Sequence, residues 1–183
     1  MEPREAANSA GSRPHILISV QAQRLYLFDP DPSLPEPGHS PSRSPRVEYI
    51  VSTSRNGAGQ EQGSFKTPLG RNLVRAKIGA GAALNTVFVG RRPTGEIWTQ
   101  DLAARSPGRD WILTRILWLS GLEPGVNRLG RVDTMRRYIY LHGSPPSVVM
   151  GEPGSIGCVR MRNQDIVDLF DLVPYGTTVD IRD

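Results

Sequence analysis

HGSPPSVVMGEPGSIGCVRM, residues 142–161, holds the only cysteine of the chain, Cys158, and one of its three histidines, His142. The residues before His142 (Tyr138, Ile139, Tyr140, Leu141) are apolar and aromatic and read as a strand, which Gly143 ends as a turn residue. A period of two puts Tyr138, Tyr140 and His142 on one face and Ile139 and Leu141 on the other. The first face can line a cleft while the second packs a core. If the chain doubles back through Val148, Val149 and Met150, a turn over residues 151–154 returns Cys158 to the end of that strand. Gly157 lets the backbone come close to a ligand, and Arg160 places a permanent charge two residues from the sulfur. A thiol becomes a good nucleophile only when a neighbour helps remove its proton, free cysteine having a pKa of about 8.5. A Cys–His pair far apart in sequence and near in space is the expected form of a cysteine nucleophile. On composition alone, the alternative is a small buried hydrophobe. One cysteine and scattered histidines do not supply a metal-ligand cluster.

Downstream, Asn163 reads as a helix N-cap and Asp165 complements the first turn. Ile166, Leu169, Phe170 and Val173 form one apolar stripe, Pro174 stops the helix, and residues 177–181 close the domain as a strand. Upstream, residues 111–119 (WILTRILWL) suit a helix or a doubly buried strand. Their β-branched residues and tryptophans favour strand. Residues 15–20 and 24–28 predict a first hairpin, with His15 at the surface. Residues 47–53, 73–78 and 86–90 are further strands. Residues 29–46 carry six prolines and form an excursion between strands, with His39 exposed to solvent. Residues 54–63 are polar and mobile, and lead into the Thr67-Pro68-Leu69-Gly70 turn.

The totals fit one domain of 183 residues with an adequate core. Residues 1–13 read as a disordered leader and 14–183 as the domain. Nineteen Gly and sixteen Pro between short apolar runs favour a β-rich fold. No apolar run is long enough to span a bilayer. The net charge of +4 comes almost wholly from arginine, scattered without interleaved aromatics, so the arginines read as solvated surface and nucleic acid is not an expected partner. The N-terminal residues have no signal-peptide pattern, which predicts a cytoplasmic location for the sequence as written.

The motif His142-Gly143, a loop of about a dozen residues, then Ser155, Gly157, Cys158, Val159 and Arg160 resembles the signature of the YkuD-type L,D-transpeptidases. The likeness extends over residues 16–28, 49–53, 67–70 and 163–181. One position departs, since Ile156 stands where that family has a second histidine. The resemblance implies a compact, mainly β sandwich or barrel with one helix packed on it from the C-terminal half. It implies a cysteine enzyme of the cell envelope acting on peptidoglycan stem peptides, without metal or organic cofactor. Cys158 would be the nucleophile and His142 the base, its tautomer held by the Gly143 carbonyl. The N–H groups of Gly157 and Cys158 are the natural oxyanion donors. Arg160, Ser155, Ser144, Tyr140 and Thr67 are the expected substrate-binding residues. A degenerate, non-catalytic peptidoglycan-binding module is the other reading, motivated by Ile156. Oligomeric state, the diamino acid and the balance between transpeptidase and carboxypeptidase are not set by the sequence.

Overall fold

Alternating apolar residues build most of the strands, and their order in space decides where the motif lands. The computed structural model describes residues 13–33 and 43–183. All but the last residue of the leader (1–13), together with His39 and the middle of the proline-rich excursion, lie outside the described residues. Strands β1 (His15–Ser19) and β2 (Arg24–Phe28) form the predicted hairpin, and β3 (Val47–Ile50) pairs antiparallel with β2. Strand β4 (Gly70–Ile78) is followed by β5 (Thr86–Val89) and β6 (Arg92–Ile97), then by the short helix α1 (Gln100–Arg105). Then come β7 (Ile112–Gly121), β8 (Tyr140–Gly143), β9 (Val159–Met161), helix α2 (Asn163–Leu172) and β10 (Thr178–Arg182).

The spatial order is β3-β2-β1-β10-β4-β7-β5-β6, with β8 on the other side of β7 and β9 beyond β8. The sheet then curls round on itself. Just after β3, the Ser52 N–H donates to the Arg160 carbonyl (3.0 Å) and the Arg160 N–H to that of Ser52 (2.9 Å). The three-residue β9 is therefore paired on both edges, which is what lets so short a strand hold a fixed position. Inside the curl, Ile16, Leu25, Leu117, Leu141, Val159 and Met161 are fully buried against Ile166 and Leu169 of α2.

Strand β7 carries the one long run that suited either a helix or a strand, and it is a strand, as its β-branched residues and tryptophans favoured, with no exposed residue. It is bulged beside the motif. Leu113 pairs with Gly143 and Ile116 with His142, so Thr114 and Arg115 have no opposite number. Thr114 sits there at φ +70° and is fully buried. A β-branched residue in that region is strained, and its hydroxyl donates to Asn163 Oδ1 (2.7 Å) and accepts the Asn85 N–H (3.0 Å).

The structure corrects three sequence expectations. His15 is buried, not at the surface, because its ring packs near Phe28 (6.4 Å between centroids) with Asp180 at 3.9 Å. Asn163 is the first residue of α2 and Arg162 the cap, since the Asn163 amide is engaged by Thr114 and Asn85. Tyr138 precedes β8 in a turn at φ +57° and is half exposed, so Tyr140 and His142 alone share the strand face. A second helix, α1, and the edge strand β6 are present beyond those expected.

Candidate active site

Strands β8 and β9 run parallel, with Leu141 opposite Val159 and His142 opposite Arg160. The pleat therefore puts Tyr140, His142, Cys158 and Arg160 on one face, and Leu141, Val159 and Met161 in the core. The sulfur accepts the Tyr140 N–H at 3.4 Å and its proton points to the Tyr138 carbonyl at 3.5 Å. His142 is buried, and its Nδ1 lies 2.8 Å from the Gly143 carbonyl. A carbonyl can only accept, so Nδ1 carries the proton and the neutral ring keeps its lone pair on Nε2. That Nε2 is buried and has no hydrogen-bond partner among the described residues.

The loop that delivers the cysteine is held by side chains. Ser155 donates its hydroxyl to the Cys158 carbonyl (2.5 Å) and accepts the Gly157 N–H (3.2 Å). Thr67 donates to the Gly157 carbonyl (3.0 Å) and accepts the Ser54 N–H (3.0 Å). Gly157 itself has φ +131°, which a side chain would strain. Arg160 donates to the Gly154 carbonyl (3.0 Å) and pairs with Asp110 at 2.6 Å.

Burial dominates the titration of both central groups. It pushes the Cys158 thiol up to about 12. The Tyr140 N–H opposes this, Asp110 adds to it, and Arg160 and Arg137 pull the other way. Burial also pulls the His142 imidazole below its ordinary value, against the Gly143 hydrogen bond and the Asp110 charge. Both shifts favour the uncharged forms, a thiol and a neutral imidazole.

A model of the family described as L,D-transpeptidase catalytic domain (YkuD) matches residues 13–181. The chain belongs to this family. Among relatives, a Salmonella typhimurium protein described as probable L,D-transpeptidase ErfK/SrfK is 33% identical over 129 residues, 63% of this chain and 40% of that one. Its Escherichia coli counterpart is 47% identical over 47 residues, 26% of this chain and 15% of the other. The chain thus spans less than half the length of either relative. Among solved structures, L,D-transpeptidase 3 from Mycobacterium tuberculosis, in complex with a faropenem-derived adduct, superposes with a TM-score of 0.53. It is 16% identical over 93% of this chain and 60% of that one. Bd1075 from Bdellovibrio bacteriovorus gives 0.56, at 19% identity over 97% and 50%. These likenesses show a shared fold.

Within this L,D-transpeptidase domain, the residues predicted from sequence are divided by the structure. Cys158, Tyr140 and Ile156 line a cleft of about 540 Å³ together with Phe65, Arg91, Asp110, Arg137 and Tyr138. Ser155 and Thr67 lie beneath the cysteine loop and hold its backbone. Ser144 is buried, with its hydroxyl given to the Met161 carbonyl (2.9 Å). Arg91, Asp110 and Arg137 escaped the sequence reading, which took the arginines as solvated surface. They come from a turn and two loops that only the topology brings together. No helix among the described residues is long and apolar enough to cross a membrane.

Thr67→Val tests the underpinning of the loop. It leaves a buried carbonyl and a buried N–H unpaired, so the midpoint of urea unfolding should drop by an amount equal to about 1–3 kcal/mol. An unchanged midpoint would show that the hydroxyl holds nothing.

Proposed function

We propose that this chain is a cysteine acyltransferase acting on peptidoglycan stem tetrapeptides in the cell envelope. The observation that carries the reading is the arrangement of His142. Its Nδ1–H is fixed on the Gly143 carbonyl, leaving a buried, unpartnered Nε2 lone pair on the sheet face that also bears the Cys158 thiol.

In this reading Nε2 takes the thiol proton as the sulfur attacks the carbonyl after the L-centre of the diamino acid. The oxyanion forms beside the Cys158 N–H, with the Gly157 N–H turning from Ser155 to join it. Collapse breaks the amide C–N bond, and the imidazolium returns the proton to the departing D-alanine amine. The thioester then passes to an acceptor amine, giving a cross-link, or to water, giving a trimmed stem. Arg160 steadies the loop through Gly154, and Thr67 and Ser155 position it. No step calls for a metal or organic cofactor.

Purified protein incubated with disaccharide-tetrapeptide should release D-alanine and form either a cross-linked or a shortened product, read by mass spectrometry. Absence of all of these would overturn the proposal. The second reading, a non-catalytic peptidoglycan-binding module, draws on Ile156, which is 40% exposed on the cleft wall where the family motif has a histidine. Labelling with a thiol-acylating carbapenem separates the two, since an inert Cys158 favours the binder. Because the base is assigned to His142, Ile156→His should leave the acylation rate within about tenfold of wild type, ~1.4 kcal/mol in the barrier. A gain above about a hundredfold, ~2.7 kcal/mol, would support the module reading.

A further inference from the structure

Arg91 stands in the turn between β5 and β6 at φ +67° and forms part of the wall of the Cys158 cleft. Its guanidinium carbon lies 4.6 Å from the Trp118 ring centroid and 5.0 Å from that of Tyr138. One nitrogen donates to the Tyr140 hydroxyl at 3.0 Å. Three aromatic side chains therefore hold the charged end in one place. Stacking of this kind fixes a guanidinium while leaving most of its N–H groups free to bind.

The other charged groups of the cleft already have partners. Asp110, the one carboxylate lining it among the described residues, is paired with Arg160. Arg137 donates to the carbonyls of Gly59 (3.1 Å) and Lys66 (2.6 Å) and to the Ser64 hydroxyl (3.5 Å). Arg91 has no carboxylate partner among the described residues. The cleft is thus left with excess positive charge and one open guanidinium fork, whose natural complement is a carboxylate held by two parallel N–H groups.

We infer that Arg91 receives a carboxylate of the donor peptide and so determines which stems are accepted. This rests on the acyltransfer reading above. Two carboxylates of a tetrapeptide donor share this chemistry. One is the terminal carboxylate of the leaving amino acid, and the other is the side-chain carboxylate of a diamino acid that carries one.

The test uses the wild type, Arg91→Met and Arg91→Lys with three disaccharide-tetrapeptide donors: the parent, its C-terminal amide, and the form amidated on the diamino-acid side chain. Wild type should disfavour one amide by about 10–100-fold in kcat/KM, the range expected for a charge-assisted pair. The disfavoured amide names the source. In Arg91→Met the rate with the parent should fall to meet that of this amide, whose own rate hardly changes, and Arg91→Lys should keep part of the preference. A purely structural role for Arg91 would lower all donors together, and that result overturns the assignment. So does a wild type that consumes all three donors equally, which leaves acyl transfer standing. A wild type that consumes none of them overturns acyl transfer and this inference with it.

Discussion

His142→Ala should slow carbapenem acylation of Cys158 at pH 7 by about 10²–10⁴-fold, the usual worth of a positioned base, and Cys158→Ala should abolish it. The size of the loss follows from the state of the thiol. With its pKa pushed up to about 12, on the order of one thiol in 10⁵ is ionised unaided at pH 7. Sulfur must then lose its proton during attack, to a base already free of one. His142 fits, because burial lowers its pKa and the Gly143 bond turns the lone pair to Nε2. The sign of the pH dependence follows. Wild-type acylation should hold steady above neutrality and fall only as the pH drops through a value below 6.5. Without the imidazole, the rate should instead climb about tenfold per pH unit, as hydroxide makes the thiolate. Rates across pH, with ultraviolet thiolate absorbance, check both. A thiolate band in the wild type at pH 7, or full rate in His142→Ala, would refute the assignment.

Gly143→Ala should be nearly as damaging, through geometry. A Cβ there would overlap Asn163 Oδ1, lie 2.7 Å from the Leu113 carbonyl and 3.2 Å from Ile166 Cγ2. The Leu113 carbonyl belongs to β7 at the register point facing Gly143, so it cannot step aside without parting the two strands. Overpacking of this kind costs about 1–3 kcal/mol in stability, and any shift of residue 143 carries with it its own carbonyl, which sets the His142 tautomer. Chemical denaturation should show the loss of stability, and acylation should drop by about a hundredfold in the protein that remains folded. Adding Asn163→Gly removes the closest overlap but not Leu113, so it should restore only part of either. A stable and fully reactive Gly143→Ala would show that strand β8 has more slack than the register implies.

What the sequence made legible was whatever repeats with a period or carries rare chemistry. β1, β2, β7, β8 and β10 follow from alternation or apolar runs and α2 from its stripe, and a motif singled out Cys158 and His142, which the pleat sets on one face of the sheet. Strand β6 could not be read, because RPTGEI has almost no buried face and carries Pro93 and Gly95; it exists only by pairing along β5. Helix α1 is six residues long and buries none of them fully. Its one signal was Thr99, whose hydroxyl accepts the Leu102 N–H. The charged wall of the site was hidden for another reason. Arg91, Asp110 and Arg137 are ordinary surface residues in one dimension, and they acquire a role only when β5, the loop before β7 and the turn before β8 converge.

Strand β10 follows β1 to β9 in sequence, yet it sits between β1 and β4, parallel to one and antiparallel to the other. Before β10 is in place, β1–β2–β3 and β4–β7–β8–β9 meet in the sheet only where Ser52 pairs with Arg160. The loop bearing Cys158 is therefore made before β1 and β4 can be joined. Until residues 178–182 follow, β1 and β4 both present bare edges, and bare edges recruit foreign strands. Removing β10 would part β1 from β4 in the middle of the sheet. The product would be a polypeptide prone to self-association, not a shorter version of the same protein.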